Sequence, residues 1–373
     1  MKILYITTIG GTMSFFESLV KELLDAGNIV DIATNEDASD VPSCYREWNC
    51  KVWPISCTRS PLNGGSLKAV HEIREIVKNG KYDIVHCHTP IAAVCTRFAC
   101  RPLRKKGVKV FYTAHGFHFY KGAPLKNWLL YYPIEKLCAH WTDALITINK
   151  EDFKRAKKHL KAKKVIYIPG VGVDIEKFKP KSSGRERIRT ELRLNSDQTV
   201  LLSVGELNAN KNHERVIRAL RGLDIVYVIV GKGDLQVKLK DIAQKCGVDV
   251  RMMGYRKDVA DFYDAADFYI LPSLREGLNV SLMEAMASSL TCLAGNIRGN
   301  VDLIDVKGGY LFNPKSVKDI RNAIEKAFNL NVEQRSAKGK YNLNKVHSFG
   351  LHNVNEKTVA VLLGAENFKN SIL

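Results

Sequence analysis

Short runs of aliphatic and β-branched residues alternate along the chain with stretches whose apolar positions recur at helical spacing. Lys2 to Ile6 reads as a buried strand, Ser14 to Ala26 as a helix, Ile29 to Ala33 as a strand and Lys68 to Asn79 as a helix. Ile84 to His86, Lys109 to Tyr112 and Ala144 to Thr147 continue the strand series. The pattern restarts in the second half, with strands at Thr199 to Val204, Ile225 to Val230, Val250 to Met252 and Phe268 to Leu271. Between and after them, Asn212 to Ala219, Leu235 to Lys245 and Ser281 to Ser288 are helix-like. Alternation of this kind implies parallel βαβ units. The expected fold class is therefore α/β, with two doubly wound, Rossmann-like domains.

From Tyr167 to Arg187 the pattern lapses, and Pro169, Gly170, Gly172, Pro180 and Gly184 punctuate a stretch where a linker belongs. The expected organisation is a first domain over 1–170, a second over 171–345, and an accessory helix and tail over 346–373 packed outside the second sheet. A length of 373 residues fits two domains of ordinary size.

Hydrophobic residues at 45% and charged residues at 26% are ordinary for a globular chain and exclude a disordered or collagen-like one. Charge balance is not ordinary. With 57 Lys plus Arg against 39 Asp plus Glu, the net charge of +18 favours anionic partners: nucleic acid, an anionic membrane surface or phosphorylated small molecules. The nine cysteines form no CxxC pair and are expected as reduced core residues of a cytoplasmic protein. The N-terminal apolar run is too short for a signal peptide, and no window reaches the length of a membrane span. Any membrane contact is expected to be peripheral, at the inner face of the cell membrane.

Ligands of open parallel sheets bind at the carboxyl ends of the strands. After the first strand, Gly10 and Gly11 allow close backbone approach and open onto a helix that favours an anion, although a plain tight turn fits equally. His115 and Gly116 follow the fourth predicted strand, where the imidazole could bond a polar ligand or be a satisfied loop residue. His86 and His88 lack a third ligand at metal spacing and are expected to be structural. Lys211 falls near a helix start, where amides and an ammonium could together neutralise a phosphate. The strongest signal is LPSLREGLNVSLMEAMA at 271–287. Here a strand end, a glycine loop carrying Glu276 and a helix containing Glu284 combine an anion site with two carboxylates suited to accept bonds from hydroxyls. That combination describes a sugar nucleotide.

The segment EGLNVSLME resembles the signature of the retaining GT-B glycosyltransferases of family four. Other features align in order: Gly10 and Gly11, TAHG around His115, VGELNANKNH, VGKGD at 230–234, GYRKDV at 254–259, DFYILPS at 267–273 and RGNVDLI at 298–304. Within the family the chain looks closest to bacterial enzymes that assemble capsular, exopolysaccharide or related cell-surface glycans. The resemblance implies two domains facing a central cleft, an acceptor-side first domain and a second domain for the nucleotide-sugar donor. It also implies roles. His115 and Glu276 would be catalytic, contacting the donor sugar, with Glu284 on the ribose hydroxyls. Gly11 and the amides of Asn279, Val280 and Ser281 would approach the diphosphate, and Lys211 would compensate leaving-group charge. Gly254, Tyr255 and Arg256 would border the base. Two departures stand out: Glu206 occupies the place of the family's usual phosphate-clamp Arg, leaving Arg298 as a substitute, and Asn279 replaces the usual Pro.

No two aspartates are separated by one residue, so the DxD metal motif is absent, and the enzyme is expected to need neither metal nor cofactor. Front-face attack through an oxocarbenium-like state is expected rather than double displacement through Glu276. A UDP-hexose or UDP-N-acetylhexosamine is the expected donor by resemblance, ahead of GDP-mannose. The acceptor is expected to be a glycan or a polyprenyl diphosphate-linked sugar. Residues 112–141, dense in aromatics and carrying Lys121, Lys126 and Lys136, suit docking on an anionic leaflet as well as a solvated surface over an aromatic core. Nucleic acid is disfavoured as a partner because no recognition signature accompanies the dispersed charge. A sugar-nucleotide oxidoreductase or epimerase using NAD would need GxGxxG where the chain has TTIGGTMSF. A non-catalytic nucleotide-sugar-binding protein is the remaining alternative.

Overall fold

Seven parallel strands form the first sheet of the computed structural model, which describes residues 1–58, 65–195 and 197–364. They are β1 (Lys2–Ile6), β2 (Ile29–Thr34), β3 (Val52–Pro54), β4 (Ile84–His88), β5 (Lys109–Ala114), β6 (Ala144–Thr147) and β7 (Lys164–Tyr167), in the order β3-β2-β1-β4-β5-β6-β7. The second sheet holds six parallel strands: β8 (Thr199–Val204), β9 (Ile225–Val230), β10 (Val250–Met252), β11 (Phe268–Leu271), β12 (Thr291–Gly295) and β13 (Gly309–Phe312). Their order is β10-β9-β8-β11-β12-β13. Strands such as IVYVIV and FYIL are apolar throughout because helices cover both faces of a parallel sheet. Among the described residues all nine cysteines are free, and most are buried in these cores.

In each sheet the winding direction reverses once, between β1 and β4 in the first and between β8 and β11 in the second. Neighbouring loops diverge at such a switch point and leave a crevice above the carboxyl ends of the strands. Most expected elements occur within a residue or two of their expected bounds. The short strands β3, β7, β12 and β13 carried no clear period and were not anticipated.

Two other expectations are corrected. The stretch read as a linker ends in a helix, Ser182–Glu191, held against the helix Val259–Ala265 by Arg187, which pairs with Asp258 at 2.6 Å and also with Asp261. Gly184 there marks close packing: a Cβ would lie 2.5 Å from the Asp264 carboxylate. The C-terminal helix begins at Leu351, ends at Leu363, and does not pack outside the second sheet. From Val354 onward it belongs to the same compact unit as Met1–Val171, whereas Gly172–Asn353 form the second unit. Leu362 is buried with Ile3 and Tyr5, and Asn355 Nδ2 donates to Ser18 Oγ at 2.8 Å and Glu22 Oε1 at 2.6 Å. An apolar helix face in a sequence does not say which sheet it covers. The tail after residue 364 lies outside the described residues.

Candidate functional site

The crevice of the second unit is built from the loops after β8 and β11. Lys211 follows β8, and its Nζ donates to Glu276 Oε1 in the loop after β11 at 2.8 Å, with both side chains mostly buried. The two loops are also stitched by backbone and amide bonds. Leu274 N donates to Asn210 O at 2.8 Å, Asn210 Nδ2 to Arg275 O at 3.0 Å, and Asn212 Nδ2 to Pro272 O at 2.9 Å. Gly205 permits this approach, since a Cβ on it would meet Lys211 Cε at 3.1 Å. Arg298, buried, donates from Nε to the carbonyl oxygen of Glu276 at 3.1 Å, which fixes the loop from the other side. Glu206 is exposed, and its carboxylate accepts from Asn208 Nδ2 at 2.7 Å.

Beyond Glu276 the helix Val280–Ala287 starts with Asn279 as its N-cap, whose Oδ1 accepts from Leu282 N at 3.1 Å and from Ser281 Oγ at 2.6 Å. Asn279 in place of the usual Pro thus supplies a cap that proline could not. The amides of Val280 and Ser281, at the first two positions, are ones that a helix cannot satisfy by itself. The Ser281 hydroxyl is turned inward, shared among Asn279, Val204 O at 3.0 Å and Tyr269 Oη at 2.7 Å, so only the backbone of Ser281 is available to a ligand. Glu284 Oε2 accepts from Tyr263 Oη at 2.8 Å. Burial pushes its carboxyl pKa up, against the lowering effect of the Tyr263 bond and of Lys177. Gly254, with φ of 68°, turns the loop after β10 and bonds back to Gly231. Tyr255 is 69% exposed. Arg256 is engaged elsewhere: it forms bidentate pairs with Glu191 at 2.7 and 3.0 Å and with Asp258 at 2.8 and 2.7 Å, and lies over the Phe262 ring.

In the first unit, Gly10 packs against the backbone of 39–41 and Gly11 against the Ser39 side chain. A Cβ on Gly10 would come within 2.3 Å of Ser39 O, and one on Gly11 within 2.5 Å of Ser39 Oγ. Close packing against backbone therefore requires glycine at position 10, whereas at Gly11 the Ser39 hydroxyl would have to turn aside. His115 follows β5, and its Nε2 bonds His88 Nδ1 of β4 at 3.1 Å. His86 Nε2 bonds Thr113 Oγ1 at 2.8 Å. The His86 and His88 rings stand 4.2 Å apart and pack against Tyr5 and Phe16. Desolvation lowers the pKa of His115 to about 4 and of His86 to about 3, and holds that of His88 well below the usual histidine range. The expected structural pair His86 and His88 is thus in part a second layer behind His115, a link that strand register creates and spacing along the chain does not reveal. Among the described residues no cluster of His, Cys, Asp and Glu is placed to hold a metal ion.

The helix Leu125–Ala139 buries one charge and exposes several leucines. Its buried side carries Glu135, which pairs with the fully buried Arg97 through two bonds of 2.8 and 2.9 Å. Its outer side exposes Leu125 (73%), Leu129 (71%), Leu130 (51%) and Leu137 (48%), with exposed Lys126 and Lys136 beside them. Among the described residues no helix is long and apolar enough to cross a membrane.

Residues 184–345 match the family model described as glycosyl transferases group 1, and residues 9–177 match that of glycosyltransferase family 4. The Bacillus subtilis (strain 168) putative glycosyltransferase EpsD is 38% identical over 267 residues, covering 69% of this chain and 70% of that one. The Escherichia coli UDP-Gal:alpha-D-GlcNAc-diphosphoundecaprenol alpha-1,3-galactosyltransferase is 30% identical over 294 residues, 74% of each chain. Anabaena Alr3699/HepE, solved in complex with UDP, superposes with a TM-score of 0.82 at 18% identity, over 98% of this chain and 100% of that one. Sucrose-phosphate synthase from Thermosynechococcus elongatus gives 0.80 at 19% identity, over 98% of both chains. At such identities the structural likeness shows the fold, GT-B with its two Rossmann-like domains.

Proposed function

The chain belongs to the family 4, group 1 glycosyltransferases, and from that premise we propose that it transfers a sugar, with retention and without a metal ion, from a UDP-hexose or UDP-N-acetylhexosamine to a glycan or polyprenyl diphosphate-linked acceptor during bacterial cell-surface polysaccharide assembly. The observation that carries this is the pairing of Lys211 with Glu276 at the β8/β11 switch point, next to the start of the helix Val280–Ala287. One crevice thereby combines a cation and open amides for a diphosphate with carboxylates for hydroxyls. The acceptor class is supported by the undecaprenol-linked substrate in the name of the Escherichia coli relative.

In this mechanism Glu276 and Glu284 accept bonds from the donor sugar and ribose hydroxyls. Lys211 and the Val280 and Ser281 amides take up charge as the bond from C1 to the diphosphate oxygen breaks. The acceptor oxygen bonds C1 on the same face, and its proton passes to the departing diphosphate oxygen. His115, with Nε2 committed to His88, has Nδ1 for the donor sugar. Gly11 approaches the diphosphate, and Gly254 and Tyr255 border the base. Arg256, saturated by carboxylates, acts by holding that loop. The exposed leucines of Leu125–Ala139, with Lys121, Lys126 and Lys136, rest the protein on an anionic membrane surface where a lipid-linked acceptor resides.

Thermal-shift measurements with UDP, GDP and their sugars, followed by turnover with the best binder, test the reading. A UDP-sugar should stabilise the protein and be consumed, with the product anomer matching the donor anomer by NMR. Absence of any nucleotide shift would sink the donor assignment, and a covalent glycosyl adduct on Glu276 would replace front-face attack by double displacement.

A further inference from the structure

His86 and His88 are two residues apart on β4, and Thr113 and His115 are two apart at the end of β5, so the four side chains share one face of the first sheet. Register sets His88 beside Thr113 and, across β1, His86 beside Tyr5. The His88 ring is clamped in place. It stacks on Tyr5 at 5.5 Å and 13°, and Phe16 packs on it at 4.3 Å between centroids. All three rings are buried. Among the described residues, the one hydrogen bond of the His88 ring joins its Nδ1 to His115 Nε2 at 3.1 Å.

The proton in that bond has two possible homes, with opposite consequences for the site. Burial holds both rings neutral, so each carries a single N–H. With the proton on His115 Nε2, His88 would accept at Nδ1 and carry its own proton on Nε2. That atom is buried and has no protein partner among the described residues. A stranded buried N–H is rare and costly. With the proton on His88 Nδ1, this nitrogen donates to His115 Nε2, and only a lone pair is left at His88 Nε2. His115 must then carry its own proton on Nδ1, because the bond made at one ring nitrogen decides the state of the other.

We propose that His88 is a positioning residue that fixes His115 as its Nδ1–H tautomer, so that His115 meets the donor sugar as a hydrogen-bond donor to a hydroxyl oxygen. This rests on the reading of His115 as a donor-sugar contact. A ring protonated at Nδ1 and engaged at Nε2 has no lone pair free to take a proton. His115 is thereby kept from acting as a base toward the acceptor hydroxyl, whose proton is left to the departing diphosphate oxygen. Free histidine in water favours the Nε2–H form, so Nδ1–H on both rings is a distinctive signature.

Long-range proton–nitrogen correlation NMR of the full chain, labelled with nitrogen-15 histidine and held near neutral pH without ligand, reads the tautomers directly. His88→Leu, His88→Asn and His115→Gln variants accompany the wild type, the last to assign the His115 signals. His88 and His115 should both show a protonated Nδ1 and a bare Nε2. Leucine keeps bulk and removes the donor, so His88→Leu should move the His115 proton toward Nε2 and lower kcat with the best UDP-sugar roughly 10-fold, while UDP-induced thermal stabilisation is retained. His88→Asn, whose amide places a donor where Nδ1 was, should keep the wild-type tautomer of His115 and recover most of the turnover. A wild-type proton on His115 Nε2 would overturn the assignment, His88 Nε2–H then donating to a water in the cavity of about 20 Å³ that His86, His88, His115 and Asn355 help to line. So would an unchanged His115 tautomer, or unchanged turnover, in His88→Leu. Should His88→Leu fail to fold, the wild-type and His88→Asn spectra decide. The tautomers are read without substrate and so are judged apart from the donor reading, which falls if UDP does not stabilise the wild type.

Discussion

Lys211 Nζ donates to Glu276 Oε1 at 2.8 Å, joining the loop after β8 to the loop after β11. In the proposed donor site an incoming diphosphate would compete with Glu276 for the ammonium, which would couple donor binding to release of the carboxylate toward sugar hydroxyls. Lys211→Met should lower turnover roughly 100-fold or more. It should also weaken UDP by leaving Glu276 unpaired beside an anion. The double variant Lys211→Met with Glu276→Gln should bind UDP more tightly than Lys211→Met alone, as measured by calorimetry. A double variant that binds no better would mean that the pair does not face the diphosphate.

Glu284 accepts from Tyr263, and burial raises its carboxyl pKa. If its free lone pairs hold the ribose, UDP should bind roughly 5- to 10-fold more tightly than 2′-deoxy-UDP, and Glu284→Ala should erase the difference. Because the raised pKa brings protonation to higher pH than for an ordinary Glu, UDP affinity should decline on acidification earlier in the wild type than in Glu284→Ala. Parallel pH titrations of the two proteins measure this.

The Arg97–Glu135 pair is buried and bidentate. Removing one partner strands a charge, so Glu135→Ala should destabilise the protein by roughly 3–5 kcal/mol, read from urea unfolding. Arg97→Met combined with Glu135→Leu should cost less than Glu135→Ala, since no charge is then left without a partner.

Leu129, Leu130 and Ile134 are exposed on the same helix. Serine at all three should abolish sedimentation with anionic vesicles while leaving the melting temperature nearly unchanged. Replacing Lys121, Lys126 and Lys136 with Gln should weaken the same binding by on the order of 100-fold, at about 1 kcal/mol per lysine, and added salt should mimic it. Equal binding to neutral vesicles would argue against an electrostatic leaflet contact.

Burial keeps His86 neutral in the folded protein down to about 3 and His115 down to about 4, whereas unfolded histidines protonate near 6.5. Below about 6.5 the unfolded chain binds more protons than the native one, so these groups add stability above that pH that is lost as pH falls toward 4. Melting temperature should therefore fall between pH 7 and 4.5, and less steeply in His86→Gln. By the same token, turnover should show no limb near 6.5 due to His115.

The two α/β units, their principal strands, the positions of His115, Lys211 and Glu276 after strands and that of Glu284 in a helix were legible in the sequence, because apolar runs of strand length and the loops that end them are local properties. Proline and glycine content made Ser182–Glu191 look like a linker, yet ion pairs to Asp258 and Asp261, more than 70 residues away, hold it as a helix. The bond between His88 and His115 left no sequence signal, because it arises from the register between β4 and β5.

The opening pattern of apolar and polar positions thus determined which segments are the principal strands and helices, and the motifs singled out the loops on which the proposed chemistry rests. Tertiary structure decided the rest. It paired Lys211 with Glu276, committed Arg256 to Glu191 and Asp258, and placed the last helix from Val354 with the first unit. It also turned Glu135 of Leu125–Ala139 inward, against Arg97, and the leucines of that helix outward. A periodic pattern states that a face is apolar or charged. What that face meets depends on partners remote in the chain, and only packing brings those together.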